Sequence, residues 1–510
     1  MPKVTACRKL HTHHTPEAEN YIMSRLIVSL PPLEGTSGSD SVVGLEDNAF
    51  PAIGIEVLKK GVIDTQAGKD TIEGTGTGKK DDTGTGASGI GITNSGIINA
   101  GRGDDTIKGT GRGGNVYESD GTGTGIANSG TINAGMGDDT IEGAGTGGEG
   151  FRGYLAPGKG ISNTQSGYIN GGDGKDLISG IGNGGLLSVT EFQAIGINNT
   201  QDSRIDGGFG DDEITGTALG FDDFGIVAGI SNTEGSDING GEGNDSIKGT
   251  GSRGNNGTGI LNSGGSVISG GKGNDSIIGI GYGSAAYLDS IRRYDPGSGI
   301  GISNTSTISG GQGNDFISGT GTGGAGSYDT PFGEVNPGVG TGIVNSGSIS
   351  LGDGNDTLVG TGISKGIGIV NTNGIICGGA GDDSLTGYGA KIGIQGGTID
   401  GGNGNDSFKS RRIDDSGNPV SNQGGAIADV VIKGGYGADT FDVGYGNATI
   451  DGGSGSDKLI LPDFKSDYTI LGSSNNYTIK RDQFTLNVLN VEEIAFFGVP
   501  PQDSMQGVTL

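Results

Sequence analysis

Isoleucine recurs along the chain in a fixed relation to glycine and to one acidic residue. In GIANSGTIN (residues 125–133) followed by AGMGDDTIE (134–142), each nine-residue half has an isoleucine at its eighth place, Ile132 and Ile141. The same pair of halves returns as GISNT…YIN with GGDGKDLIS, as GILNS…VIS with GGKGNDSII, and as GIVNSGSIS with LGDGNDTLV. Each half reads as a glycine-rich turn plus a short strand, x-Ile-x, with one residue inward and two outward. One such strand cannot bury its isoleucine alone. Stacked coils can, because equivalent positions then lie about 4.8 Å apart in continuous ladders.

The pattern predicts an aliphatic ladder through Ile107, Ile141, Ile178, Ile214, Ile247, Ile277, Ile317 and Leu358. A second runs through Ile98, Ile132, Ile169, Ile205, Ile238, Ile268, Ile308 and Ile349, and a third through Ile126, Ile161, Ile230, Ile260, Ile302, Ile343 and Ile369. Asparagine stands two residues after the third position, at Asn94, Asn128, Asn163, Asn232, Asn262, Asn304, Asn345 and Asn371. These read as a stacked amide ladder that satisfies turn backbone groups. The fold class expected is all-β, a right-handed parallel β-solenoid. A two-faced β-roll and a three-faced β-helix are both open.

The acidic member of the unit is an aspartate present in fourteen copies: Asp40, Asp70, Asp105, Asp139, Asp176, Asp212, Asp245, Asp275, Asp315, Asp356, Asp383, Asp406, Asp439 and Asp457. Their spacing varies from 18 to 41 residues. The excess falls in one place, after the strand that follows the aspartate, in Gly-Thr-rich insertions such as TGTGKKDDTGTG. Several insertions carry aromatics, among them Tyr117, Phe151, Tyr154, Phe192, Phe221, Phe224, Tyr282, Tyr287, Tyr294, Tyr328 and Phe332. They are expected to line one edge of the rod, where loops can hold recognition. The tandem at residues 434–460 has no insertion, which sets its coil at two nine-residue units. After Pro462 the repeat stops. Residues 463–510 alternate like antiparallel strands, as expected of a C-terminal β cap over the last coil. Residues 1–32 read as a mobile leader holding Cys7, His11, His13 and His14, with Met23 as an alternative start.

Composition changes this picture little. Glycine is 115 of 510 residues without a three-residue period, which excludes collagen. A hydrophobic fraction of 31% and a net charge of −28 would read as disorder in a chain without the register. The charge disfavours nucleic acid and favours cations. Two cysteines imply no disulfide framework. No run of about 18 apolar residues predicts a membrane span, so no membrane insertion is expected, and no cleavable signal peptide is evident.

Stacking places the carboxylates in one column. Two like charges about 5 Å apart repel by roughly 0.8 kcal/mol in water, and more at lower dielectric. Asparagine would close an Asx turn without that cost, yet no copy uses it, so the column points to a bound cation. Carboxylates and glycine carbonyls are all-oxygen ligands, as calcium prefers. Zinc and copper favour His and Cys, and the repeats offer only Cys377.

GGEGNDSIKG, GGKGNDSII, GGQGNDFIS and GGSGSDKLI resemble the hemolysin-type calcium-binding nonapeptides of RTX proteins, G-G-x-G-x-D-x-U-x. The resemblance covers about residues 33–462. It implies a parallel β-roll that holds Ca2+ between turns through the motif aspartates, Asp105 to Asp457 above, and through turn carbonyls such as Gly240, Gly243, Gly270, Gly273, Gly310, Gly313, Gly452 and Gly455. It also implies type I export guided by an uncleaved C-terminal region; the closing VEEIAFFG resembles the tails of such proteins. This sequence departs from the family in one respect: the GIxN half has no aspartate, so calcium is expected along one side. Weaker binding is expected beside Lys69, Lys175 and Ala438.

The function expected is that of a secreted, calcium-binding repeat protein, structural or adhesive at the cell surface or in the extracellular matrix. Calcium is the implied partner, with surface glycans or self-association through the loop edge as further ones. The alternative is a polysaccharide-modifying lyase or epimerase on the solenoid. The repeats contain no histidine, which excludes HExxH and Ser-His-Asp chemistry there. A pore-forming toxin would need an apolar region upstream that the sequence does not show.

Overall fold

A computed structural model describes residues 20–79, 86–114, 121–148, 156–184, 194–220, 226–254, 256–288, 293–326, 335–421 and 423–497. The three ladders become three strands per coil. In one coil these are Gly123–Asn128, Thr131–Met136 and Thr140–Thr146. Each pairs in parallel with its equivalent in the next coil, in a register that sets Ile126 on Ile161, Ile132 on Ile169 and Ile141 on Ile178. Third strands stack into a 16-stranded sheet, while first and second strands belong to a 29-stranded sheet. The protein is therefore a parallel β-solenoid with three strands in most coils. All three isoleucines of the coil are fully buried. The register also brings in Ile92 and Ile197, whose neighbouring Asn199 joins the amide ladder.

The strands are longer than x-Ile-x, and glycine is the reason. Residues in the Gly-Thr stretches, first read as insertion, continue the third strand with glycine inward and threonine outward. Thr71–Gly78 shows this as a strict alternation of half-buried and buried positions. These glycines let the first and third strands approach at backbone distance. A Cβ on Gly143 would lie 2.4 Å from the carbonyl oxygen of Gly160, and one on Gly125 would lie 2.2 Å from the amide nitrogen of Ala144. Isoleucine fills the wider part of the coil and bare backbone fills the narrow part. Gly143→Ala is accordingly expected to destabilise the calcium-loaded chain by about 1–3 kcal/mol through overpacking. Thr146→Ala, outward on the same strand, is expected to change it by less than about 0.5 kcal/mol. Thermal melting of both variants checks this.

Both ends depart from the expected outline. Strands Asn20–Met23, Leu26–Val28 and Leu33–Glu34 pair with Ser41–Ala49, Ala52–Val57 and Val62–Asp64. The first coil thus begins inside the segment read as leader; Cys7 and the three histidines lie outside the described residues. At the other end, Thr469–Ser473, Asn476–Arg481 and Phe484–Leu489 form the antiparallel meander expected of a cap. Its last strands, however, rejoin the solenoid in parallel: Phe484–Leu489 on the preceding second strand and Glu493–Phe497 on Lys458–Pro462. Tyr445, Tyr468, Phe484 and Phe496 pack under this cap. The Arg481 guanidinium lies 4.4 Å from the Tyr445 ring centroid and is ion-paired to Asp463. Among the described residues no helix is long and apolar enough to cross a membrane.

Candidate metal centre

Each coil turns three corners, and two of them carry a polar ladder. The corner between first and second strands holds the asparagines. Asn128 Nδ2 donates to Asn163 Oδ1 at 2.8 Å, Asn163 to Asn199 at 2.9 Å, and so on from Asn94 to Asn371. Their amides also donate to turn carbonyls, such as that of Gly167. These side chains are fully buried and fully bonded. This corner is self-sufficient and has no use for a cation, as the structural reading of the amides expected.

The corner between second and third strands holds the aspartates, and its ladder is incomplete. In GGEGND, Gly241 and Gly243 have φ of +127° and +139°, which only glycine adopts without strain. That turn aims the Asp245 carboxyl inward. Its Oδ1 accepts the backbone N–H of Asp212 at 2.8 Å, and Asp245 in turn donates its N–H to Asp275 Oδ1 at 2.8 Å. The relay is continuous from Asp40 to Asp457, where Glu492 of the cap supplies the final acceptor at 2.7 Å. Oδ2 is different. In Asp70 and in all twelve aspartates from Asp105 to Asp457, Oδ2 is buried without a hydrogen-bond partner. Asp40 escapes this, because Thr36 donates its N–H to Asp40 Oδ2 at 2.6 Å.

What surrounds the orphaned oxygens is also acceptor. A methyl group placed on Gly240 would sit 2.6 Å from Oδ2 of Asp245 and 2.4 Å from the carbonyl oxygen of Gly270 in the next coil. The same relation joins Asp275 to the Gly310 carbonyl and Asp439 to that of Gly452. The first-position carbonyls of Gly240, Gly270, Gly310 and Gly452 therefore share a space with a carboxylate. The later glycines stack on one another: the carbonyl of Gly243 lies under Gly273, 1.7 Å from where a Cβ would stand. That contact explains the glycine at Gly273; Gly313 and Gly455 are stacked alike. Ala100, Ala134 and Leu351 occupy the first position in three coils and leave less room there.

Burial sets the acidity of this column. The aspartates are at most 3% exposed. Loss of hydration pushes the carboxyls of Asp139, Asp212, Asp245, Asp315 and Asp383 up to about 7, and those of Asp105, Asp176, Asp406 and Asp439 up to about 6. The N–H donated from the preceding coil opposes the rise, and nearby carboxylates add to it. Asp275, Asp356 and Asp457 are raised for the same leading cause. A buried carboxylate facing a carbonyl needs either a proton or a cation. Calcium fits the donor set, because every available atom is a hard oxygen. Among the described residues no three His, Cys, Asp or Glu side chains converge on one point, so backbone carbonyls would have to complete any coordination shell.

A second ladder, missed in the sequence, flanks the first on the exposed side. The residue before each aspartate accepts the N–H of its successor: Asn244 N–H donates to Asp211 Oδ1 at 2.7 Å, Asn274 to Asn244 at 2.9 Å, Asn314 to Asn274 at 2.7 Å. The sequence signal for it is the preponderance of Asn and Asp at this position. Lys175 and Ala438 donate their N–H to this column but end its run of acceptors. The inner aspartate ladder passes through both coils unbroken. Weaker calcium binding at these coils stays an expectation.

A solenoid with a continuous column of buried, half-satisfied carboxylates calls for a proton or a cation at each turn. Five of its segments, residues 199–218, 233–256, 261–279, 301–321 and 431–460, match the family model of the RTX calcium-binding nonapeptide repeat. The chain carries RTX repeats, and these imply binding of Ca2+. The matched segments contain Asp212, Asp245, Asp275, Asp315, Asp439 and Asp457; the other turns share their geometry without falling inside a match. No curated protein matches the chain.

Proposed function

We propose that the chain is a secreted, calcium-stabilised protein with a structural or adhesive role at the cell surface or in the extracellular matrix. The observation that carries this is the run of thirteen buried aspartates whose Oδ2 lacks a partner. Extracellular calcium modules bind in the range of about 10⁻⁴–10⁻³ M. A chain that depends on many such sites stays unfolded in calcium-poor cytoplasm and folds outside, because a ligand of the native state alone stabilises it. RTX repeat proteins are typically secreted, in keeping with type I export through the C-terminal region. The solenoid then serves as a rod that presents its faces and loop edge; apart from Tyr282, the side chains of the loop aromatics lie outside the described residues.

Immunolabelling of intact producing cells, before and after a calcium-chelating wash, tests the reading. Surface label that the wash releases is the expected result. Label found only inside permeabilised cells would overturn it. Release of new reducing ends from polysaccharides by the purified chain would favour the lyase or epimerase alternative instead.

A further inference from the structure

The outer face of the second strands carries a groove that neither the core nor the aspartate column uses. Between residues 168 and 272 it is an open, shallow groove of about 490 Å3. Its floor is Gly172, Gly208 and Gly241, bare backbone at positive φ in successive coils. One wall is a column of amides that is interrupted after Asn170. Asn133 Nδ2 donates to Asn99 Oδ1 at 3.1 Å, and Asn170 Nδ2 to Asn133 Oδ1 at 2.8 Å. The next member is Asp206, a carboxylate with no proton to give. The step from Asn170 to Asp206 therefore leaves Asn170 Oδ1 without the donor that the next amide would supply, while Asp206 itself accepts from Arg204 and from the Tyr168 hydroxyl. The column resumes when Asn239 Nδ2 donates to Asp206 Oδ1 at 2.9 Å.

The opposite wall is aromatic and open. Phe209 is 57% exposed, in register with Asp173 before it and Glu242 after it. Charge along the groove is nearly balanced: Arg204 pairs with Asp206 and Lys272 with Glu242. A second groove on the same face, beside Asp400 and Lys433, carries Tyr436 at 68% exposure.

We infer that this face binds an extended, uncharged glycan strand along the rod axis, with Phe209 as the stacking ring and Asn170 Oδ1, left without a donor at the step to Asp206, as the acceptor of a ligand hydroxyl. The inference deepens the adhesive reading and rests on it. A sugar hydroxyl donates to Asn170 Oδ1, where the column supplies no donor. The apolar face of a pyranose covers an exposed ring that would otherwise stay in water. Balanced charge offers little to a polyanion. Phe209 offers nothing to a hydrated metal ion, and no three acidic side chains meet there. The glycine floor continues from coil to coil, which suits a polymer better than a single sugar.

Native gel electrophoresis of the full chain in millimolar calcium, through gels containing dextran, mannan or a β-1,3-glucan and with alginate as the anionic control, tests the inference. At least one neutral polymer should retard the wild type. Phe209→Ala should weaken that retardation by about tenfold in apparent Kd, and Asp206→Asn, which restores a donor to the column, should weaken it as well. Circular dichroism in calcium verifies that both variants fold. Free migration of the wild type through every neutral polymer, equal retardation of wild type and Phe209→Ala, or retardation by alginate alone would overturn it. These outcomes concern the purified chain and leave the surface location to be judged by immunolabelling.

Discussion

Without calcium, the chain is expected to gain β-structure and thermal stability as the pH falls from 8 to 5. The buried column binds protons more tightly in the folded state than in the unfolded one. Asp139, Asp212, Asp245, Asp315 and Asp383 titrate near 7 when folded against an ordinary value of 3.8. Between those values the native state carries more protons, so stability falls as pH rises through the window and is lowest above about 7. This is opposite to an ordinary acid-denatured protein, whose paired carboxylates have depressed values. General relief of the −28 charge would act mainly where normal carboxylates titrate, below pH 5, whereas the column acts between 5 and 7. Calcium competes with the same protons, so its midpoint is expected to move to higher concentration as pH falls from 8 to 6. Circular dichroism melts in metal-free buffer across this range check both statements; a flat or falling profile toward pH 5 contradicts them.

Two substitutions at one position are expected to diverge. Asp245→Ala removes the acceptor of the Asp212 N–H and leaves a buried donor unpaired, at a cost of about 1–3 kcal/mol. It also removes the expected calcium ligand, so it is expected to destabilise with and without calcium. Asp245→Asn keeps Oδ1 for that N–H and replaces the orphaned Oδ2 by a donor beside the Gly270 carbonyl. Without calcium at pH 8 it should therefore be more stable than the wild type, and in calcium less stable. Melting of both variants in calcium, and the pH at which each gains β-signal in chelator, with calcium titration to count sites, read the difference. A melting temperature of Asp245→Asn equal to that of the wild type in calcium would show that Oδ2 has no ligand role.

The ladders were legible because isoleucine marks them. Ile107, Ile132 and Ile126 belong to three separate strands, and the repeat fixed which positions stack. The strand lengths were not, because the inward residues of Thr71–Gly78 after Ile72 are glycines, which give no hydrophobic signal at period two. Their role depends on a neighbouring backbone 2–3 Å from a missing Cβ, a tertiary fact. At the metal centre the aspartates were legible from their invariance among copies. That Oδ1 is engaged and Oδ2 is not depends on the relay between coils, which no single repeat contains. The cap followed the same division: alternation in residues 463–510 announced antiparallel strands, but the parallel return of Glu493–Phe497 onto Lys458–Pro462 required the last coil as a template.

The central claim is that a cation completes this column and thereby the fold. Its most direct test is far-ultraviolet circular dichroism of the full chain at pH 8, titrated with calcium from a chelated start. The account predicts a disordered spectrum in chelator and a cooperative rise of β-signal with a midpoint at about 10⁻⁴–10⁻³ M calcium. A chain with the same β-spectrum and the same melting temperature in chelator and in calcium would contradict it.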